Sequence, residues 1–242
     1  MSPALRLLAP AAVLFGLALP TYGQSDAGSA ETYRQLLSDA IAALDSAEWS
    51  HWAYTETEID TDGVFVGRFD PSRPRRERWT LQSVNDRTPT RDEIEAYLDE
   101  KAGDNGWADE DDGESDAIRD MIESEGLELV EETDTYLLFR FVPDEEELEE
   151  GFAEYMDATL RISKSGGPWL EYVDIHSNGM FSPQFGVRVR DFAMRMSFGP
   201  AVEERPIVPR SLEVKISIRA FLVINVDEHV VISYSDYARV GL

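Results

Sequence analysis

The chain is 242 residues long, carries 48 acidic against 22 basic residues for a formal net charge of −26, and contains no cysteine. Disulfides, thiolate metal sites, a cysteine nucleophile and a cysteine-linked lipid anchor are therefore all excluded. The acidic balance also disfavours nucleic acid as a partner, because phosphate binding rests on lysine and arginine.

Residues 1–23 read as an export signal: Arg6 supplies the positive start, residues 7–19 the apolar run, and Thr21 and Gly23 the small residues before Gln24, with cleavage expected after Gly23. Taken as a membrane anchor instead, that run is interrupted by Pro10 and would reach only about 20 Å as a helix against roughly 30 Å of hydrocarbon. No later stretch is long and apolar enough to cross a bilayer. Residues 24–242 are then expected to form one domain, exported to the periplasm of a Gram-negative bacterium and held together by core burial alone.

The first predicted element of that domain is a helix over 30–45, in which Tyr33, Leu36, Leu37, Ala40, Ile41 and Leu44 recur at the three-and-four spacing of one apolar face. Strands follow at 50–59 and 64–69 around the turn Asp60-Thr-Asp-Gly63, a hairpin signature, and after Pro71 and Pro74 a third strand runs over 79–84. Thr90 and Glu93 form a capping box for a short helix ending near Lys101, with Ile94, Tyr97 and Leu98 inward. A second short helix is expected over 115–125, with Ile118, Met121 and Ile122 inward. Strands resume at 127–132, 136–142, 156–163 and 169–176.

The charge is local. Between residues 92 and 154 there are 26 Asp and Glu against only Lys101, Arg119 and Arg140. Within this span, 103–115 has the composition of a solvated loop and 145–150 is a like-charge run. A calcium-binding hand does not fit there: with Gly113 as the turn glycine, loop positions one and twelve fall on Ala108 and Arg119 rather than on Asp and Glu.

The C-terminal third alternates strictly. Phe192, Met194, Met196 and Phe198 lie on one side with Ala193, Arg195 and Ser197 on the other. Over 211–222, Leu212, Val214, Ile216, Ile218, Ala220 and Leu222 oppose Ser211, Glu213, Lys215, Ser217 and Arg219. Val230, Ile232 and Tyr234 continue the pattern. The inventory gives an α+β fold: a curved antiparallel half-barrel sheet of about ten strands wrapped around the N-terminal helix, with a short helical acidic insertion at about 90–125. A sandwich would not need the long amphipathic helix.

Burying the six aliphatic side chains of the 211–222 strand contributes very roughly 10 kcal/mol before entropy, so a filled core alone explains the pattern. Methionine and aromatic walls, however, adapt to flexible apolar guests. The candidate ligand-binding face is therefore Phe192, Met194, Met196, Phe198, Leu212, Val214, Ile216 and Ile218, with Trp79 and Leu81. No catalytic constellation is found. His51, His176 and His229 lie in separate segments without a second ligand at metal-site spacing, there is no G-x-S-x-G elbow, and Gly166-Gly167-Pro168 reads as a hairpin turn. No catalytic residue, metal or cofactor is expected, and the protein is read as non-enzymatic.

Phe69-Asp-Pro-Ser-Arg-Pro74, Trp79-Thr-Leu-Gln-Ser-Val84 and Pro89-Thr90, together with Ser182-Pro-Gln-Phe-Gly186, Phe198-Gly-Pro200, Arg210-Ser-Leu212 and Ser233-Tyr-Ser-Asp-Tyr237, resemble a group of uncharacterised secreted proteobacterial proteins. More distantly, one helix followed by many antiparallel strands resembles the periplasmic lipoprotein carriers of the LolA and LolB superfamily. That resemblance implies a half-open barrel holding acyl chains and lies at the level of fold. It also implies a basic cavity mouth, for which Arg73 and Arg76 are the candidates; the alternative is that Arg73, Arg75, Arg76 and Arg78 offset the acidic span through surface ion pairs of about 1 kcal/mol or less. No lipoprotein-handling residue carries over. The expected function is binding of a lipid acyl chain or of a lipidated or hydrophobic partner in the concave apolar face. The alternative is an envelope interaction or sensing module with a filled core, whose acidic surface engages a cationic protein.

Overall fold

The computed structural model describes residues 27–45, 51–102, 122, 126–143, 153–183, 186–201, 206–221 and 224–240. The expected signal peptide, the loop over 103–115, the run over 145–150 and nearly all of the expected helix over 115–125 lie outside these residues. Of that helix only Ile122 is described; it is buried and forms an isolated antiparallel bridge with Pro143.

Period-two alternation yields ten strands: β1 (Trp52–Ile59), β2 (Val64–Phe69), β3 (Trp79–Val84), β4 (Glu128–Glu132), β5 (Tyr136–Phe141), β6 (Met156–Ser163), β7 (Trp169–Ser177), β8 (Val187–Pro200), β9 (Ile207–Ala220) and β10 (Ile224–Arg239). Two α-helices accompany them, α1 (Ala27–Asp45) and α2 (Arg91–Ala102). The capping box is formed, with the Thr90 amide donating to Glu93 Oε2 at 2.7 Å. The described residues are mostly β.

All ten strands belong to one open antiparallel sheet, ordered β3-β2-β1-β10-β9-β8-β7-β6-β5-β4. The first and last strands pair in its middle, while β3 and β4, consecutive in the chain, form its two edges. Between them in the chain lies α2.

One rung crosses the whole sheet. Leu129, Phe139, Leu160, Val173, Met196, Leu212, Ile232, Glu58, Phe65 and Val84 are successive cross-strand partners. Paired residues project to the same side, so these ten side chains share one face. Glu58 is the only charged one among them. This face carries the main core: α1 lays Leu37, Ala40, Ile41, Ala43 and Leu44 against Phe139, Leu160, Val173, Ile175, Met196 and Leu212, docking chiefly across β7 and touching β9. At the β3 end, α2 covers the same face with a smaller cluster of Leu81, Val84 and Tyr97, joined by Phe65, Trp79 and Leu98. The N-terminal helix thus covers one part of the sheet and α2 another.

Candidate functional site

The three long C-terminal strands build a projection. β10 pairs with β1 only over 231–239, and β8 pairs with β7 only over 193–197. Beyond those points, 187–192, 214–220 and 224–230 form a three-stranded ribbon joined to its surroundings by the isolated bridge between Phe181 and Val189.

The two faces of the ribbon differ in chemistry. Its outer face is polar and cross-linked: Lys215 Nζ pairs with Asp191 Oδ2, Ser217 Oγ donates to Asp227, Arg190 Nη2 donates to Asn225 Oδ1 at 3.0 Å, and His229 Nε2 lies 2.8 Å from Glu213 Oε1. Asp191 holds the Lys215 ammonium above its ordinary pKa by hydrogen bonding and charge. The inner face, continuous with the main core, carries Val189, Phe192, Met194, Val214, Ile216, Ile218, Val226 and Val230, interrupted by the exposed Glu228. Apart from the fully buried Val189, these apolar side chains are only half-buried.

The eight C-terminal candidates are therefore brought onto one face of one sheet, yet at two depths. Met196, Phe198 and Leu212 are buried in the core. Phe192, Met194, Val214, Ile216 and Ile218 form the half-buried strip. Trp79 and Leu81 share the sheet face but lie near its far edge under α2, in a separate cluster. Arg73 and Arg76 sit on the β2–β3 connection, where Arg73 Nε pairs with Asp70 at 3.3 Å and Arg76 is exposed within a short 3-10 turn. The pairing register puts that connection and the β9–β10 tip at opposite ends of the sheet. The two arginines do not border the strip.

The α2 end holds the most heavily buried charges described. Lys101 Nζ lies 2.7 Å from Glu56 Oε1, with the two side chains only 13% and 7% exposed. The same ammonium sits 5.1 Å from the centre of the Trp79 ring and 5.4 Å from that of Tyr97. Beneath it, Tyr54 contacts Phe69, Trp79, Tyr234 and Tyr237 with ring centres 5.1 to 5.8 Å apart. Burial raises the Glu58 carboxyl above its ordinary pKa, opposed by the charge of Lys101 and reinforced by Glu100, Glu56 and Asp60. Burial likewise pushes the Tyr97 phenol up. Its hydroxyl finds no hydrogen-bond partner among the described residues and rests against Gly67, where a Cβ would approach it to 2.0 Å.

Of this α2 locus only Trp79, with Leu81 beside it, was among the sequence candidates; Tyr54, Glu56, Glu58 and Lys101 were not. Tyr54, Glu56 and Glu58 alternate with Thr55 and Thr57, a pattern that places the glutamates in water by composition alone. The available hint was Tyr97 and Lys101, one turn apart on α2. The histidines remain dispersed, His176 beside Asp174 and His229 beside Glu213, and among the described residues no three metal-ligating side chains converge. No described helix is long and apolar enough to cross a membrane. Comparison with protein families, curated proteins and solved structures yields no match for this chain.

Proposed function

We propose that the protein is a non-enzymatic periplasmic binder of a lipid acyl chain, or of a lipidated or hydrophobic partner, on the inner face of the β8–β10 ribbon. The observation that carries this reading is the half-buried strip of Phe192, Met194, Val214, Ile216 and Ile218, which continues outward along the ribbon from the filled core. Flexible Met194 and planar Phe192 suit a guest without fixed shape, whereas hydrogen-bond donors that would select a polar ligand are confined to the opposite face. The sheet, open and antiparallel with a helix on one face, agrees with a half-barrel.

The test is titration of the full chain with a fluorescent fatty acid, alongside mass spectrometry of lipids that copurify with it. Saturable binding is expected, weakened about tenfold or more by Met194→Asn together with Ile218→Asn, since each substitution removes apolar contact worth about 1 to 2 kcal/mol. Absence of both probe binding and copurifying lipid refutes the proposal. It would leave the interaction module, in which the same face is merely the margin of a filled core and the acidic surface does the binding.

A further inference from the structure

The connection that leaves β7 begins Asn178-Gly179-Met180, and it carries a chemistry that the ribbon does not use. Asn178 and Gly179 are both exposed, and Met180 beside them is 68% exposed. Gly179 has φ of +154°, a conformation open to glycine, and a Cβ at this position would meet nothing within 4 Å. The arc is held at both ends. The Asn178 amide donates to the Tyr155 carbonyl at 2.9 Å, and Phe181 exchanges two hydrogen bonds with Val189 while its ring stacks on that of Tyr155, with centres 4.8 Å apart. Between those anchors, neither the Asn178 carboxamide nor the Gly179 amide has a hydrogen-bond partner among the described residues.

The other described asparagines lack this combination. The Val64 amide donates to Asn85 Oδ1 at 2.9 Å and Arg190 Nη2 to Asn225 Oδ1 at 3.0 Å, and the residues that follow are Asp86 and Val226, each with a side chain beside the main-chain nitrogen. Asp62-Gly63 has the glycine without the freedom, because the Gly63 amide donates to Asp60 Oδ1 at 2.9 Å. At Asn178 a free amide nitrogen adjoins a free carboxamide, and the attacking residue has no side chain to obstruct it. Nucleophile and carbonyl belong to neighbouring residues, so they meet without the loss of translational freedom that a bimolecular attack incurs.

We propose that Asn178-Gly179 is a self-modification site, which converts to aspartyl and isoaspartyl forms through a cyclic imide with water as the only co-reactant. The Gly179 nitrogen gives its proton to solvent and bonds to Asn178 Cγ; the Cγ–Nδ2 bond breaks, and ammonia leaves with a proton taken from water, closing a five-membered ring. Water then adds to one of the two ring carbonyls, and the carbon–nitrogen bond there breaks. Opening at Cγ restores the main chain with aspartate, whereas opening at the residue's own carbonyl carbon routes the chain through Cβ and Cγ as isoaspartate. The balance is one water consumed and one ammonia released, with no change of oxidation state. Either product places a carboxylate where a neutral carboxamide stood, three residues before Phe181 joins the bridge that borders the ribbon. The isoaspartyl form also lengthens that connection by one main-chain atom. This chemistry needs no acyl ligand.

The experiment is incubation of the full chain in warm, neutral buffer, with samples taken over days, digested with trypsin and weighed by mass spectrometry. Residues 165–188 form one tryptic peptide in which Asn178 is the only asparagine; Asn105-Gly106 falls in 102–119 and Asp62-Gly63 in 35–68. Peptide 165–188 is expected to gain about one mass unit and to split into two species of equal mass. Its rate in the folded chain should lie within about tenfold of that of the same peptide made synthetically, since an exposed arc without internal hydrogen bonds needs little opening. Asn178→Gln, which would have to close a six-membered ring, should lose the gain while retaining the melting temperature. Asp62→Asn puts the same dipeptide where the glycine amide is hydrogen-bonded, and conversion there should be about fivefold slower than at Asn178. Persistence of the unmodified peptide in the folded chain while the synthetic peptide converts overturns the proposal. So does a mass gain that survives Asn178→Gln, or equal conversion of peptides 35–68 and 165–188 in the Asp62→Asn chain.

Discussion

Removing the Lys101 side chain should release α2 from the sheet. Lys101 Nζ lies 2.7 Å from Glu56 Oε1, and Glu56 as a whole is 5% exposed, so Lys101→Ala leaves a carboxylate without its cation inside an aromatic layer. Breaking a buried pair from one side costs about 3 to 5 kcal/mol, and loss of the contacts to Trp79 and Tyr97 adds about 0.5 to 2 kcal/mol at the desolvated end of the cation–π range. The cluster holding α2 is small, with three buried members, Leu81, Val84 and Tyr97. A cost of this size can therefore be met by local detachment instead of global unfolding. Hydrogen exchange of the Arg91–Ala102 amides should accelerate by about 100-fold or more, taking 1.4 kcal/mol per factor of ten. The companion variant Glu56→Gln with Lys101→Met removes both charges and retains volume, and should restore protection to within about tenfold. If the single and double variants protect these amides equally, the pair does not fasten the helix and the reasoning fails.

Two further outcomes follow from the same region. Gly67→Ala would bring a methyl 2.0 Å from Tyr97 Oη and 2.8 Å from its Cζ, and should lower the urea midpoint by an amount corresponding to about 1 to 3 kcal/mol; adding Tyr97→Phe, which deletes the crowded hydroxyl, should recover part of it. Glu93 is held down to about 2 by its hydrogen bonds from Arg87 and from the Thr90 amide. Its ionised form therefore supports α2 fully above the ordinary carboxyl pKa of 4.5, and that support is lost as the pH falls toward 2. The difference in melting temperature between the unsubstituted chain and Glu93→Gln should shrink over this interval, and a difference independent of pH would contradict the assignment.

Much of the sheet is legible in the sequence because strand alternation is a local signal. Val64–Phe69, Trp79–Val84 and Met156–Ser163 fall where alternation and turn residues place them, and Thr90 with Glu93 marks the start of α2 to within a residue. Depth is not local. Phe192, Met194, Met196 and Phe198 give one uninterrupted pattern, yet the first two are half-buried and the last two buried, because depth depends on what the rest of the fold packs over each rung. Glu56 and Glu58 are illegible for a related reason: their inward orientation is made tolerable by Lys101, which reaches them from a helix beyond two further strands. The distance between Trp79 and the C-terminal strip likewise depends on which strand pairs with which. That order, with β1 beside β10, is a property of the whole chain.

The half-buried strip is not simply a margin that a better-placed helix would cover. A strand of 14 residues such as β9 extends about 46 Å at 3.3 Å per residue, whereas α1, with 19 residues at 1.5 Å each, reaches about 28 Å. Even laid parallel to β9, α1 would leave about 18 Å of its length bare, and it docks instead chiefly across β7. A bare apolar ribbon with no internal support would fray. Here the outer face resists that, because Lys215 with Asp191, Ser217 with Asp227, Arg190 with Asn225 and His229 with Glu213 tie its three strands together from the side away from the core. Each bond is individually weak in solvent, but together they fix the register on which the inner face depends: a slip of one residue would turn Ile216 and Ile218 outward and bring Lys215 and Ser217 in. The polar face thus preorganises the apolar one, and a surface held in shape before anything covers it loses less freedom when a guest settles on it.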